Sequence, residues 1–310
     1  MPALEAVERM RDAAVVARAE SLTKRYGRVL ALDQLALEVR AGEVLGFLGP
    51  NGAGKTTTLR LLMGFLRPTA GRAMVHGLDA WRDRVAVHAR TGYLPGEVRL
   101  WPRLTARETA GHLARLHGLG HDRGTADLAK RLDVELDRPF RELSKGNRQK
   151  AGLLLALLGD PRLLLLDEPT SGLDPLIQQE FHRILRERAE AGTAVMLSSH
   201  VLSEVEHVAD RVAIIRSGRL LIEESLATLR AKARHTVEVR FTSPPPPDAF
   251  AAVPGITGVQ LDGPVLRCTV QGVVDPLVKA LGRYSVTDLN SREGDLEETF
   301  LTLYGQEDRP

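Results

Sequence analysis

Cysteine is almost missing from this sequence. A single Cys268 in 310 residues excludes an internal disulfide framework and any thiolate metal cluster. A reducing compartment is compatible with that. Long hydrophobic runs are missing too. The richest apolar stretch, residues 153–166, is interrupted by Gly159-Asp-Pro-Arg162 and falls short of the roughly 20 residues a spanning helix needs. The first twenty residues carry Glu5, Glu8, Asp12 and Glu20 with no unbroken apolar core, so no signal peptide is expected. Charge of one sign is also scarce. The formal net charge is +2 and aromatic residues make up 4%, with no single-sign tail and no basic-aromatic patch. Nucleic acid is therefore not an expected partner. The expectation is a soluble or peripheral protein. If it works at a membrane, another chain does the spanning.

What the chain does have is apolar mass. Hydrophobic residues are 43% of the sequence, enough for a sizeable core in one large domain or one large and one small. The organising stretch is Gly49-Pro-Asn-Gly-Ala-Gly-Lys55-Thr56-Thr57. It fits the phosphate-loop spacing of glycine, four residues, then Gly-Lys-Ser/Thr. A short apolar strand is predicted before it, over 43–48, and a helix after it, from residue 58. Glycines allow positive φ and close approach of backbone to a ligand. The loop N–H groups and the first helical turn point at an anion. Lys55 supplies a mobile positive charge for β and γ phosphates, and Thr56 a hydroxyl for Mg²⁺. The bland alternative is a glycine-rich turn that happens to carry a lysine.

A second group lies downstream. Residues 163–166 are four leucines, which fits a strand buried on both faces. They run into Asp167-Glu168, at the carboxyl end of that strand, where open α/β sheets bind ligands. Asp167 is expected to hold Mg²⁺, directly or through water, and Glu168 to polarise an attacking water. Neighbouring strand residues face opposite ways, so the two carboxylates can take different roles. Read alone, the pair is equally an ordinary strand end. His200 follows Leu197-Ser-Ser199 at the end of another buried strand. It reads either as a structural hydrogen-bonding residue or as a partner of the γ-phosphate or attacking water.

The rest of the chain is read more coarsely. Residues 1–14 are a polar extension. Residues 15–22 and 31–39 are strand candidates, the latter with Leu35, Leu37 and Val39 at period 2. A short strand over 72–75, a helix over 79–88 and a strand over 91–94 ending at Pro95 follow. Residues 103–137 form a helical insertion. Ser144 caps a helix that Pro161 breaks. Helix is expected over 181–190 and 202–209, and strand over 193–197, 212–215 and 220–222, with a hairpin at Gly218. Strand alternation restarts at 235–241, followed by the stiff proline run 244–247. Strands over 266–270 and 284–289 and helices over 273–281 and 296–303 complete a small α+β domain.

Taken together, these elements resemble the nucleotide-binding subunit of an ATP-binding-cassette (ABC) transporter, over roughly residues 15–235. Gly49 to Thr57 matches its Walker A segment, and 163–168 its Walker B segment with the catalytic glutamate. Leu143-Ser-Lys-Gly-Asn-Arg-Gln-Lys150 is similar to its signature Leu-Ser-Gly-Gly-Gln-Arg-Gln-Arg. Ser171-Gly-Leu-Asp174 matches the loop that crosses a dimer interface, and His200 the switch histidine. Tyr26 matches the aromatic residue that stacks on adenine; read alone, it is equally a core residue.

The resemblance implies a phosphate-loop nucleoside triphosphatase of α/β class, with an antiparallel β subdomain, a helical subdomain and a small C-terminal α+β domain. The implied boundaries are 1–14, 15–234 (helical subdomain about 97–158) and 235–310. It implies catalytic Glu168, His200 and Lys55. Its nucleotide contacts are Tyr26, Gly49, Asn51, Gly52, Gly54, Lys55, Thr56 and Thr57. Ser144, Gly146 and Asp174 add contacts across an ATP-dependent head-to-tail homodimer. Thr56 and Asp167 hold Mg²⁺.

Two departures stand out. Lys145 replaces a signature glycine and Asn147 its glutamine; Lys145 either points outward or adds positive charge at the nucleotide. Gly96 stands where the family has a glutamine. Glu97 beside it either takes over the Mg²⁺ contact or leaves it unmade. One cassette, without a second phosphate loop or a long coiled-coil insertion, sets the chain apart from the family members that act on ribosomes or DNA breaks, while Tyr93-Leu-Pro-Gly-Glu97, the Ser-Lys-Gly-Asn signature variant, the small C-terminal domain and the ending 295–303 resemble bacterial exporters of the multidrug or antibiotic-resistance type. That implies separate multispan permease subunits and a peripheral place on the cytoplasmic face of the membrane. A soluble regulatory or assembly ATPase, and a nucleic-acid-associated ATPase, are the alternative readings. The C-terminal domain either stabilises the dimer, packs on the cassette or senses cargo or ions.

Overall fold

A computed structural model of the chain describes residues 14–118, 124–232, 234–271 and 273–293. By its internal contacts the chain divides into two units, 1–224 and 225–310. The expected boundary at 234/235 lies one short helix further along.

The first unit begins with strands β1 (Val15–Tyr26) and β2 (Val29–Arg40), joined through Gly27 at φ 56°. They pair antiparallel, and β4 (Ala70–Val75) with the short β5 (Leu78–Asp79) completes a four-stranded sheet in the order β2-β1-β4-β5. Leu35, Leu37 and Val39 of β2 are all buried, as their period-2 spacing predicts.

A second sheet has the order β10-β9-β3-β8-β7-β6. Its strands are β3 (Val44–Leu48), β6 (Thr91–Leu94), β7 (Leu163–Asp167), β8 (Ala194–Ser199), β9 (Arg211–Arg216) and β10 (Arg219–Ser225). β3, β6, β7, β8 and β9 run parallel. β3, β7 and β8 are buried along their whole length. Parallel strands covered on both faces carry no solvated side, which is why they read as unbroken apolar runs. Ser217 and Gly218, both at positive φ, make the hairpin from β9 to β10 in the backbone conformation such tight turns need.

Helix α1 (Lys55–Leu62) sits between the two sheets. Its Leu59, Leu61 and Leu62 share one core with Leu22 and Leu32 of the first sheet and Phe47, Leu165 and Met196 of the second. Each such leucine contributes about 1.5–3 kcal/mol by leaving water. That core fixes the helix, and with it Lys55 and Thr56, against the carboxyl ends of the central strands.

The expected helix over 79–88 is shorter than predicted. Asp79 Oδ1 accepts from the N–H groups of Trp81 and Arg82 at 3.0 and 2.9 Å, and Asp83 Oδ2 accepts from Asp79 N at 3.2 Å. These local bonds give the backbone an alternative to helix, and α2 is confined to Arg84–His88. The helical insertion contains α3 (Ala106–Leu116), α4 (Thr125–Arg131) and α5 (Lys145–Leu157) around Phe140, Leu143 and Ala151. A reciprocal pair of bonds between Thr105 and Glu108 starts α3. Arg131 of α4 bonds Glu180 and Glu187 at 2.6 Å each, tying the insertion to α6 (Pro175–Glu190). Helix α6 begins a turn and a half before the expected 181, because Asp174 caps it and proline fits the first helical position. The expected helix over 202–209 is α7 (Leu202–Glu206).

The second unit contains α8 (Leu226–Lys232), β11 (Arg234–Phe241), β12 (Ile256–Asp262), β13 (Val265–Gln271), α9 (Asp275–Leu281) and β14 (Val286–Glu293). Its sheet has the order β12-β13-β11-β14, and Val237, Val239, Phe250, Leu266 and Leu277 share its core. Strand β12 has no counterpart among the predicted elements; most of its residues are exposed or half-buried, so it carries little apolar pattern. The expected closing helix 296–303 and most of the N-terminal extension lie outside the described residues.

Candidate functional site

Strand β3 delivers Gly49 to the carboxyl edge of the second sheet. A β-carbon on Gly49 would stand 2.3 Å from the Ile215 carbonyl oxygen, so no larger residue fits there. Gly54 precedes α1 at φ 115°, a conformation open to glycine and costly for other residues. No side chain caps α1. Its first-turn N–H groups have no intrahelical acceptor, and they form a cradle for an anion.

Lys55 is buried, with 6% of its side chain exposed. Its Nζ donates to the Gly49 carbonyl at 2.5 Å and lies 3.3 Å from Glu168 Oε1. Thr56 Oγ1 donates to Asp167 Oδ2 at 2.6 Å. Ser198 Oγ donates to Asp167 Oδ1 at 2.6 Å. Both oxygens of this buried carboxylate are thus aimed, one at α1 and one at β8.

Glu168 follows at φ 50°, a left-handed conformation that costs an ordinary residue about 1–2 kcal/mol. Its N–H donates to Ser198 Oγ at 3.1 Å and lies 3.2 Å from the Ser198 carbonyl. His200 presents Nδ1 to Glu168 Oε2 at 2.8 Å. Ser199 Oγ accepts from Val201 N at 3.0 Å and donates to Glu204 at 2.6 Å, which fixes the backbone around His200.

The signature stretch opens α5. Ser144 Oγ accepts from Asn147 N at 3.1 Å. A β-carbon on Gly146 would lie 2.8 Å from the Gly172 carbonyl, so the helix start packs directly on the 171–174 loop. Asp174 Oδ1 accepts from Ile177 N at 3.0 Å. Buried Gln149 reaches the carbonyls of Pro169 and Glu168 at 3.1 and 3.4 Å, linking the signature helix to the backbone of Glu168. Lys150 lies 2.9 Å from Asp133 and 3.9 Å from Asp174.

The structure therefore gathers Gly49 to Thr57, Asp167, Glu168 and His200 in one place. Ser144, Gly146 and Asp174 form a neighbouring cluster, connected to it through Gln149. Asn51 and Gly52 are exposed on the loop, and Thr57 is half-buried behind it. Tyr26 ends β1 on the other sheet, exposed, with Lys24 Nζ 5.1 Å from its ring centroid. Lys145 is exposed and lines a groove with Glu97, Arg141 and Arg148. Glu97 points into solvent and pairs with Arg99 at 2.9 Å. It is Gly96 that abuts Asp167: a β-carbon there would lie 3.2 Å from Oδ2.

Ser198 and Gln149 carry bonds that sequence reasoning did not assign to them. The signal for Ser198 lies in the parallel register, where it is the Cα partner of Asp167. A separate apolar recess of about 340 Å³ is lined by Tyr93, Trp101, Leu113, His117 and Leu155, and by no residue of the phosphate loop.

Known proteins resemble this chain. A family model described as ABC transporter matches residues 32–171. The daunorubicin resistance ATP-binding protein DrrA3 of Streptomyces coeruleorubidus is 36% identical, over 97% of this chain and 98% of its own. The bacitracin transport ATP-binding protein BcrA of Bacillus licheniformis is 36% identical, over 73% of this chain and 75% of its own. A solved structure of the ATP-binding subunit of an ABC transporter superposes with a TM-score of 0.66 at 28% identity, over 69% of this chain and 92% of its own.

Proposed function

The chain belongs to the ABC transporter family, and we propose that it is the ATP-hydrolysing subunit of an exporter whose permease is a separate membrane-spanning chain. ATP binding and hydrolysis follow from the membership itself. The coupling to export is our reading, and one observation carries its chemistry: Lys55, Glu168 and His200 meet within 3.3 Å beside the Thr56–Asp167 bond.

In this reading, Lys55 and the N–H groups at the start of α1 take the phosphates. Negative charge that grows on the transferring phosphoryl group is met by these fixed donors. Glu168 polarises the attacking water, and His200 holds its carboxylate in place. Lys55 Nζ contacts both the Gly49 carbonyl and Glu168. A γ-phosphate competes for the same ammonium and frees Glu168 to meet the water.

Thr56 and Asp167 fit Mg²⁺. They bring a hydroxyl and a carboxylate oxygen within 2.6 Å of each other, and Mg²⁺ takes hard oxygen ligands, one or two from protein and the rest from phosphates and water. When bound, the ion neutralises charge on the phosphates. Ser198 keeps Asp167 turned toward Thr56 by engaging its other oxygen.

Ser144 and Gly146 serve a nucleotide held by a second copy of the chain, in a head-to-tail dimer with ATP between the subunits. Helix α5 has no acidic residue in its first turn, which leaves its start attractive to phosphate. ATP that binds the dimer better than the monomer pulls association by mass action. Loss of the γ-phosphate lets the pair open.

Among the described residues no helix is long and apolar enough to cross a membrane. The apolar recess beside Tyr93, with Trp101 exposed at its edge, offers a seat for a permease segment at the cytoplasmic face. The bacitracin-transport and daunorubicin-resistance relatives favour transport over a free-standing regulatory ATPase. Affinity capture from detergent-solubilised membranes of the host, followed by ATPase assay of the purified complex, tests this. A stoichiometric multispan partner that changes the ATPase rate is the expected result. An intact, fully active protein recovered without any such partner would overturn the export reading.

A further inference from the structure

The second sheet has another rim. Its parallel strands end at the phosphate loop, Asp167 and Ser199. At their amino ends, Arg90 and Arg162 stand immediately before β6 and β7. Arg162 N donates to the Arg90 carbonyl at 3.0 Å, and Ala194 N donates to the Arg162 carbonyl at 3.0 Å. These bonds hold the two residues side by side at the mouth of a recess of about 580 Å³, which Arg188, His76, Asp160 and Thr193 also line.

The charges in this recess do not balance. Arg188 pairs with Asp160. Neither Arg90 nor Arg162 has an ion-pair partner among the described residues. His76 cannot relieve them. Its Nε2 lies 3.2 Å from Thr91 Oγ1, and that hydroxyl donates its own proton to the Val87 carbonyl at 2.8 Å. The ring nitrogen is therefore the donor. Burial first, and then the charges of Arg90 and Arg162, lower the imidazole's titration, against a hydrogen bond to the Arg90 backbone that raises it. Among the described residues that line it, three arginines stand against the single carboxylate of Asp160, so the recess is positive.

We propose that this recess is an anion site that accepts a phosphate-type group, distinct from the nucleotide's phosphates. Two exposed arginines that line one recess, neither paired with a carboxylate among the described residues, suit the forked recognition of phosphate oxygens. A phosphate-bearing small molecule and the headgroup of an anionic lipid share that chemistry.

The test uses the full chain saturated with Mg-ADP, so that the phosphate loop is already filled. Inorganic phosphate replaces chloride at constant ionic strength while the His76 imidazole is followed by NMR. In parallel, flotation is measured with phosphatidylglycerol and with phosphatidylcholine vesicles. An anion beside the arginines offsets their field, so the His76 midpoint is expected to rise by about half a pH unit. The double variant Arg90→Ala/Arg162→Ala, checked by its melting temperature and unchanged basal ATPase rate, is expected to abolish that response. Arginine-dependent binding of phosphatidylglycerol vesicles, without a response to inorganic phosphate, assigns the site to a headgroup. Absence of both responses, or responses that persist in the double variant, overturns the proposal.

Discussion

Glu168 shares its carboxylate between two side chains: Oε1 lies 3.3 Å from Lys55 Nζ and Oε2 lies 2.8 Å from His200 Nδ1. The residue that would polarise water is thus anchored by the residue that would hold phosphate. Glu168→Gln keeps the shape and one acceptor oxygen but removes the charge. ATP binding is expected to persist, turnover to fall by about 10²–10⁴-fold, and an ATP-bound dimer to accumulate. Steady-state ATPase rates and gel filtration with ATP check this; unchanged turnover would remove Glu168 from the mechanism.

Ser198 is the hinge between the two carboxylates, because its hydroxyl donates to Asp167 and accepts from Glu168 N. Ser198→Ala leaves a buried carboxylate oxygen without its donor. Loss of such a partner costs about 1–3 kcal/mol. A lower melting temperature and a higher Mg²⁺ requirement for ATPase are expected together. A lower melting temperature with an unaltered Mg²⁺ titration would leave Ser198 a purely structural role.

Ser144 begins α5 with its side chain accepting from Asn147 N. Ser144→Arg places a long cation where the second copy's nucleotide is to sit. Monomeric ATP affinity is expected to be retained while ATP-driven dimerisation fails, as read by light scattering on the Glu168→Gln background. Normal dimerisation there would count against the signature contact. Ser144→Ala serves as a control, since a lost cap alone costs about 1 kcal/mol of stability.

His182 of α6 stacks on His207, with ring centroids 6.3 Å apart and planes 13° apart. Burial first, then His207, lowers its titration below the ordinary 6.5, while Glu204 opposes the shift. On acidification the unfolded chain therefore takes up this proton before the folded one does. Stability associated with neutral His182 is complete above 6.5 and is lost as pH falls from there toward the lower folded value. His182→Asn is expected to melt with a flatter pH dependence across that window. An equally steep acid loss in the variant would place the sensitivity elsewhere.

The parts of this protein that were legible in the sequence are those whose chemistry is local. The phosphate loop is written in consecutive residues, and the four leucines before Asp167 announce a strand buried on both faces. His200 was found because it closes a similar strand. Ser198 was not, because its hydrogen bonds exist only once β7 and β8 lie parallel in register. Gln149 likewise gains its role from the packing of α5 on the Glu168 loop. The helix expected over 79–88 is shorter in the fold because the Asp79 carboxylate bonds the N–H groups of the turn. Glu97 drew notice as a carboxylate near the expected glutamine. The fold points it at Arg99 and leaves Gly96 beside Asp167.

Strand β7 is five residues long, with arginine at its entrance and aspartate at its exit. At about 3.3 Å per residue, Arg162 just before the strand and Asp167 at its end stand some 16 Å apart. The buried strand between them admits no mobile ions, so a charge at one rim is screened far less at the other than it would be across solvent. Displacement along the strand and its neighbours is a second path between the rims, and neither path is easily silenced by salt.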